Sequence, residues 1–202
     1  MFKFKTFALT LGALGLLSTA AFAAPTVGEA APAFTAKDAS GKTVNLEDFK
    51  GKTVVLEWSN HDCPFVIKHY DSGNMQAVQK QAKADGVEWV KIISSAPGRQ
   101  GHVSDAKALE IVDKDGSQLT TVIRDEAGEI GRLYDAKTTP HMFVIDKDGN
   151  LAYAGAIDSN SSPRQSVIKD AKNYVLAALD DLEHGRAVEV AQTQPYGCSI
   201  KY

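Results

Sequence analysis

Cysteine is scarce in this chain of 202 residues, which has only two, Cys63 and Cys198. So few cysteines exclude a disulfide-rich scaffold and a zinc module held by four thiolates. Only one intramolecular pairing is possible. It is either a structural staple, which across so long a loop adds about 4–5 kcal/mol of stability, or a catalytic pair that cycles between dithiol and disulfide.

Long apolar runs are also rare, and the one that exists lies at the start of the chain. The first six residues carry Lys3 and Lys5, an apolar run follows at 7–17, and Ala21-Phe22-Ala23 comes next. This pattern predicts a secretory signal peptide over 1–23, and the apolar run is too short to span a bilayer. We therefore expect export to an oxidising compartment, the bacterial periplasm, without stable membrane insertion.

Positive charge is in short supply as well. Removing Lys3 and Lys5 from the 22 basic residues leaves 20 against 25 acidic residues, a net charge of about −5. This balance argues against nucleic acid as a partner. The remaining length suits one domain with a substantial core. We place this domain at 24–185 and a tail at 186–202.

The stretch from Thr53 to Lys68 predicts a strand followed directly by a helix. Val54 to Leu56 is an apolar run typical of a buried strand, and Pro64 suits the first turn of a helix. Cys63 is thus expected at a helix N-terminus, where the helix dipole and free N–H groups stabilise a thiolate. This position makes Cys63 a candidate nucleophile; the alternative is a buried cysteine that serves as a small apolar side chain.

The rest of the chain alternates strand and helix patterns. Strands are predicted at 34–36, 43–45, 87–94 and 119–123, with a hairpin around the Asp-Gly turn of 146–150; helices are predicted after Cys63 and at 104–115, 129–134 and 166–184. This order predicts an α/β fold, a three-layer α/β/α sandwich with a mixed central sheet. The tail has few apolar residues, so we expect a bond through Cys198 to hold it.

The window Cys63-Pro64-Phe65-Val66, placed after a buried strand, resembles the active site of thioredoxin-like proteins. Those proteins carry C-x-x-C, and here Val66 takes the second cysteine position. The peroxiredoxin motif P-x-x-x-T/S-x-x-C is absent, with Leu56 and Asn60 at its first two defined positions. The opening of the domain, A-P-x-F and then G-K-x-V-x-L-x-D-F-K-G-K-x-V-V-L, is similar to redoxin-type members. The resemblance covers about 27–182 and implies a thioredoxin-like fold.

The resemblance also implies roles for further residues. Glu57 falls where thioredoxins keep a buried carboxylate that relays protons; a solvent-facing strand residue is the alternative. Thr139-Pro140 resembles the cis-proline loop, which lies against the active-site cysteine and offers backbone groups to a substrate chain. Trp58 is expected to shield the thiol from water or to serve as a core aromatic, and His61 to stabilise the thiolate or to occupy an exposed loop.

These residues predict an exported thiol–disulfide oxidoreductase or thiol-dependent peroxidase that needs no cofactor. Cys63 attacks a disulfide or a peroxide, giving a mixed disulfide or a sulfenic acid. Since Val66 cannot resolve that product, Cys198 is the internal candidate for the resolving cysteine. The expected substrate is a protein thiol, a protein disulfide or a peroxide, and the expected partner is a thiol reductant.

Two alternatives stay open. In the first, five side chains converge on a soft metal such as copper(I) or zinc, and the protein is a metal-binding chaperone. These side chains are His61, Cys63, His69, His141 and Cys198, and the hypothesis requires two or three of them within bonding reach of Cys63. In the second alternative, a non-catalytic binding domain carries the Cys63–Cys198 bond as a permanent staple.

Overall fold

A mixed β-sheet organises residues 24–202, the part of the chain that the computed structural model describes; the predicted signal peptide lies outside it. A short hairpin, β1 (Thr35–Lys37) and β2 (Thr43–Asn45), precedes the sheet. Its five strands are β3 (Val54–Trp58), β4 (Glu88–Ile93), β5 (Thr121–Arg124), β7 (His141–Ile145) and β8 (Leu151–Gly155). They lie in the order β5–β4–β3–β7–β8. The first three strands are parallel, and β7 and β8 each run antiparallel to the preceding strand of the sheet.

Helices and the hairpin cover the two faces of the sheet. The helices are α1 (Pro64–Asp71), α2 (Asn74–Ala84), α3 (Asp105–Lys114), α4 (Glu129–Leu133) and α5 (Tyr174–Glu183). Because side chains alternate along a strand, Val55 of β3 packs under α1, α2 and α5, whereas Leu56 packs under the hairpin and α4. These three layers confirm the predicted α/β/α sandwich of the thioredoxin-like type.

The last helix is shorter than its apolar pattern predicts. A single helix over 166–184 is wrong in its first part: Gln165–Asp170 forms a 3₁₀ helix with no buried residue, and Ala171 is extended. The α-helix begins at Tyr174 because the side chain of Asn173 accepts the Leu176 N–H at 2.9 Å and caps it. An apolar spacing without a facing core therefore did not suffice to extend the helix.

The tail is held by backbone pairing, and not by the expected bond through Cys198. Cys63 and Cys198 are both free thiols in the structure. At the edge of β8, the Ala154 N–H donates to the Ala191 carbonyl and the Ala154 carbonyl accepts the Thr193 N–H, both at 3.1 Å, which places the first half of the tail beside the sheet. Further along, β9 (Cys198–Ser199) pairs antiparallel with β6 (Thr138–Thr139), with Cys198 opposite Thr139. Within residues 24–202, no helix is both long enough and apolar enough to cross a membrane.

Candidate active site

Cys63 lies at the junction between the central strand and the first helix. It is the residue that caps α1, with extended φ and ψ angles of −82° and 122°, and Pro64 is the first helical residue. The loop before it is a tight turn, because the Cys63 N–H donates to the Asn60 carbonyl at 3.0 Å and the Asp62 N–H donates to the Asn60 side chain at 2.9 Å. The Cys63 side chain is fully buried.

A second loop packs directly against this turn. The Gln100 side chain donates to the Asp62 carbonyl at 3.1 Å. A Cβ atom on Gly101, whose φ is +86°, would lie 2.5 Å from the side chain of Asn60. Glycine is required at this position both for its backbone conformation and for the close approach. The turn that carries Cys63 is therefore fixed from outside as well as by its own hydrogen bonds.

The Thr139-Pro140 loop, which lies between β6 and β7, faces Cys63. The peptide bond between these two residues is cis. The thiol of Cys63 donates to the carbonyl oxygen of Thr139 at 3.0 Å. Opposite Thr139, the tail places Cys198 in the same pairing, and the Cys198 thiol is the partner that most lowers the pKa of Cys63. The structure thus brings together four residues that the sequence singled out: Cys63, Cys198, Thr139 and Pro140.

The two thiols have opposite acidities. Burial raises the pKa of Cys63, but hydrogen bonds to its sulfur from the Cys198 thiol, the Thr139 side chain and the backbone at Cys198 and Val66 outweigh burial and lower the pKa below its usual value. Burial, the hydrogen bond to Cys63 and the negative charge of Cys63 raise the pKa of Cys198 to about 11. Cys63 is therefore the thiolate of the pair, and Cys198 is the donor that stabilises it.

Glu57 lies in the core on the Cys63 side of the sheet and is completely buried, so the solvent-facing alternative is wrong. Its carboxylate accepts hydrogen bonds from the Tyr70 hydroxyl at 2.8 Å, the Trp89 indole at 2.8 Å and the Gln79 amide at 3.2 Å. The ammonium of Lys91, also buried, lies over the Tyr70 ring at 4.2 Å from its centre. Among residues 24–202, none of the hydrogen bonds of Glu57 goes to Cys63, so a proton cannot pass directly from one side chain to the other.

The structure corrects the predicted shielding role of Trp58. Its side chain has no exposed surface and packs on the opposite face of the sheet, against Tyr134 and Phe143. The indole donates to the Ser94 hydroxyl at 3.0 Å. Trp58 is therefore the core aromatic of the alternative interpretation. The alternation of side chains along a strand predicts this placement, because Trp58 is one residue away from Glu57 and must point to the other face of the sheet.

His61 occupies the loop before Cys63 and is partly exposed. Its Nε2 atom lies 3.3 Å from a carboxylate oxygen of Asp62. Its Nδ1 atom is buried and has no hydrogen-bond partner among the described residues. The imidazole lines a cavity of about 240 Å³ together with Val66, Ile67 and Ile111. It therefore lies beside the helix turn that starts at Cys63.

A buried polar cluster at the tail was missed by sequence reasoning. Lys68, which has no exposed side-chain surface, donates to Asp158 at 3.2 Å and to the Tyr196 hydroxyl at 3.3 Å. Tyr196 in turn donates to the second oxygen of Asp158, and His69 lies 3.2 Å from the Tyr196 hydroxyl. Because Tyr196 is two residues before Cys198, this cluster positions the second thiol. Its members are far apart in the sequence, and no local pattern marks them.

The metal alternative finds no support in this geometry. His69 is occupied by Tyr196 and by the Asn74 side chain, whose nitrogen lies 2.8 Å from Nδ1. The Nδ1 atom of His141 accepts the Lys137 N–H at 3.2 Å. Among residues 24–202, no three histidine, cysteine or carboxylate side chains are grouped so that they could hold a metal ion.

A cysteine at a helix N-terminus that faces a cis-proline loop on this sheet is the arrangement of a redoxin of the thioredoxin superfamily. The chain belongs to the AhpC/TSA family, which its residues 27–154 match. It is 30% identical over 125 residues to the thiol-disulfide oxidoreductase ResA of Bacillus thuringiensis subsp. konkukian (strain 97-27), an alignment that covers 62% of this chain and 66% of that protein.

A second branch of relatives carries a different name. The chain is 32% identical over 128 residues to a chloroplastic peroxiredoxin Q of Populus jackii, with 63% of this chain and 59% of that protein covered. The chain thus spans slightly less than two thirds of the length of these curated relatives. A crystal structure of an uncharacterized conserved protein from Geobacillus kaustophilus is 28% identical, has a TM-score of 0.74 and covers 88% of this chain and 92% of its own.

Proposed function

We propose that the protein is an exported thiol oxidoreductase, either a thiol-dependent peroxidase or a thiol–disulfide exchange enzyme, with Cys63 as nucleophile and Cys198 as resolving cysteine. One observation carries the proposal: two free thiols meet at the Thr139-Pro140 loop with their pKa values shifted in opposite directions. The printed names of the relatives, a thiol-disulfide oxidoreductase and a peroxiredoxin, support the same chemistry.

In the first step, the Cys63 thiolate attacks a sulfur of a disulfide or an oxygen of a peroxide. A new S–S or S–O bond forms, the S–S or O–O bond of the substrate breaks, and the leaving thiolate or alkoxide takes up a proton. The same hydrogen bonds that hold the pKa of Cys63 down also stabilise the thiolate before attack. Thr139 and Pro140 provide the backbone surface beside the reacting sulfur, and His61 lines the adjoining loop.

In the second step, Cys198 attacks the oxidised sulfur of Cys63. The intramolecular disulfide forms, and the group still bound to the Cys63 sulfur leaves, as a thiol from a mixed disulfide or as water from a sulfenic acid. One of the causes that raises the pKa of Cys198 is the negative charge on Cys63. This charge disappears when Cys63 is oxidised, so Cys198 becomes a better nucleophile at the moment when it is needed.

A thiol reductant must then open the Cys63–Cys198 disulfide to complete the cycle. Cys63 is fully buried, whereas Cys198 is partly exposed. A reductant therefore attacks at Cys198 and releases Cys63 as the leaving thiolate, the better leaving group of the two because its pKa is lower. In this scheme residues 1–23 direct export, 24–185 form the redox domain, 186–202 supply the resolving thiol, and Glu57 relays protons.

Turnover of the two cysteine variants tests the proposal. With dithiothreitol as the reductant, Cys63→Ser should abolish the reduction of both peroxides and disulfides. Its near-ultraviolet circular dichroism spectrum should match that of the parent protein. Cys198→Ser should accumulate Cys63 as a sulfenic acid or a mixed disulfide, detected by intact mass. Full turnover by Cys63→Ser would refute the enzymatic role, and unchanged turnover by Cys198→Ser would remove Cys198 from the mechanism.

The reduction potential separates this function from a permanent staple. A redox-active pair should titrate between about −120 and −270 mV in a glutathione series, the range of exchange catalysts. Thiol trapping followed by intact mass measures the oxidised fraction at each point. A disulfide that persists below about −300 mV would instead identify a structural bond.

A further inference from the structure

The tail occupies a strand edge next to the nucleophile. Cys198 and Ser199 pair antiparallel with Thr139 and Thr138, and the Ile200 N–H donates to the Lys137 carbonyl at 3.1 Å. An extended segment that adds to a free strand edge is a common way for a protein to bind a peptide. The pairing that a substrate chain would make beside Cys63 is therefore already made by this chain itself.

Gly197 is adapted to this close approach. A Cβ atom at this position would lie 2.1 Å from the carbonyl oxygen of Thr139, and its φ of +137° is one that other residues rarely adopt. The contact with Thr139 is consequently possible only for glycine. A segment that rested on the edge by chance would not need this fit.

The tail is also anchored on both sides of Cys198. Before it, the Tyr196 hydroxyl enters the buried cluster with Lys68 and Asp158. After it, the Lys201 carbonyl accepts the Ala96 N–H at 2.8 Å, and the Tyr202 hydroxyl donates to the Ala136 carbonyl at 3.1 Å. These contacts fix the register of the pairing from two directions, so the tail holds its place on the edge without a disulfide.

We propose that residues 196–202 are an intramolecular occupant of the substrate-chain position, and that the closed protein accepts small hydroperoxides as oxidants in preference to polypeptide disulfides. This inference rests on the proposed function and narrows its substrate class. A polypeptide disulfide needs the Thr139 edge for its own main chain, so it must displace Cys198. Displacement would also move the Cys198 thiol away from the Cys63 sulfur, which Cys198 must attack in the second step.

A hydroperoxide avoids this competition. The Cys63 thiolate attacks one oxygen, the S–O bond forms, the O–O bond breaks, and the alkoxide leaves with a proton as an alcohol. Cys198 then attacks the sulfenic acid, the S–S bond forms, and the departing hydroxide combines with the Cys198 proton to give water. Both steps require only a gap of a few atoms beside Cys63, and the tail keeps its pairing throughout.

Three oxidants distinguish size from chemistry. The probes are hydrogen peroxide, hydroxyethyl disulfide, which has no peptide backbone, and the symmetric disulfide of a short unstructured peptide. Each reacts with reduced protein in a Cys198→Ser background, so that the first product on Cys63 persists. Dimedone labelling and intact mass then give the rate constant for each probe.

Releasing the tail should raise the peptide-disulfide rate relative to the other two, because any change in the reactivity of Cys63 itself affects all three probes alike. In Gly197→Ala the new methyl group meets the Thr139 carbonyl, and the rate with the peptide disulfide should rise about tenfold or more relative to the two small probes. Tyr196→Phe, which removes a single hydroxyl, should act in the same direction. Gly185→Ala is the matched control, because Gly185 also has a positive φ, +68°, but faces open space. Faster amide exchange at Ile200 and Ala96 reports the release itself.

The outcomes are separable. If the peptide disulfide reacts as fast as hydroxyethyl disulfide in the intact-tail protein, or if tail release leaves its rate unchanged, the inference is overturned and the proposed function stands. If no probe modifies Cys63 in any variant, the proposed function itself fails. A peptide rate that rises selectively in both tail variants supports the inference.

Discussion

The sulfur of Cys63 lies 3.0 Å from the carbonyl oxygen of Thr139. As a thiol, Cys63 donates a hydrogen bond to this oxygen; as a thiolate, it instead accepts hydrogen bonds from the Thr139 and Cys198 side chains and from backbone at Cys198 and Val66. The site therefore has partners for both protonation states. The balance between them is set largely by Cys198, the strongest of the stabilising partners, which reaches the site only through the paired tail.

Reciprocal titration of the two thiols tests this balance. In the reduced parent protein, ultraviolet thiolate absorbance should show one step below the usual cysteine pKa and a second step near the value of about 11 for Cys198. Cys198→Ala should raise the pKa of Cys63, because it removes the main donor. Cys63→Ala should lower the pKa of Cys198, because the hydrogen bond and the charge that raise it are lost. Two independent steps that neither substitution moves would contradict the coupling.

Sequence patterns predicted the site best where contiguous residues encode it. The apolar run of β3, Pro64 at the first turn and the Asp-Gly turn after β7 each act locally, so the position of Cys63 and the hairpin followed from them. The tail is different. Its place depends on backbone pairing with Thr139 and on Tyr196 reaching Asp158, 38 residues earlier in the sequence. Such contacts carry no periodicity, and the tail was expected to need a disulfide instead.

The start of α5 shows the same limit from the other side. Val167 and Ile168 share the spacing of a helix face with Ala171, but the structure leaves the segment Gln165–Asp170 without a buried residue. The spacing of apolar residues indicates which of them would share one side of a helix. Whether the helix forms depends on a core against which that side can pack. The capping side chain of Asn173 is the local signal that would have corrected the boundary.

Tyr202 and Gly131 provide a test of how strongly the end of the tail is bound. A Cβ atom on Gly131 would lie 2.4 Å from the Tyr202 hydroxyl, and the Arg132 guanidinium lies over the same ring at 4.5 Å from its centre. Gly131→Ala should therefore destabilise the protein by about 1–3 kcal/mol through overpacking. In a Tyr202→Ala background the same substitution should be neutral or should stabilise α4 by up to about 1 kcal/mol, since alanine favours a helix.

Urea unfolding of the four proteins of this double-mutant cycle measures the coupling. An equal effect of Gly131→Ala in both backgrounds would show that Tyr202 does not rest on Gly131 in solution. The glycine would then have no role in packing against the tail.

Acid should destabilise the protein through its buried histidines. Burial lowers the pKa of His141 to about 3 and that of His69 to about 4, from a usual value near 6.5. Between these folded values and 6.5, the unfolded chain binds more protons than the folded one. The contribution of the two neutral histidines to the free energy of unfolding is therefore fully present above about pH 6.5 and is lost as the pH falls. For His141 the loss is on the order of 4 kcal/mol by pH 3.

His141→Gln removes this titration and keeps an acceptor for the Lys137 N–H. Urea unfolding between pH 3 and pH 7 should show a shallower acid slope than the parent, with the contribution of His69 remaining. His184→Gln, at an exposed histidine, is the matched control. A slope as steep in His141→Gln as in the parent would mean that His141 is not neutral and buried in the folded state.

The Glu57 carboxylate accepts hydrogen bonds from Tyr70, Gln79 and Trp89. If it relays protons, the path to Cys63 includes at least one intermediate group. Glu57→Gln should then lower the rate of Cys63 oxidation by about 100-fold or more and change the shape of its pH profile. Stopped-flow oxidation by hydrogen peroxide across pH measures both.

The control must disturb the same cluster without removing the carboxylate. Gln79→Leu deletes one donor to Glu57 and the acceptor of the Gln118 N–H, so it should lower the free energy of unfolding. Its pH profile should nevertheless keep the parent shape, because the group that exchanges the proton remains. A Glu57→Gln protein that is less stable but retains the parent pH profile would assign Glu57 a purely structural role, in which the carboxylate serves to satisfy three buried donors.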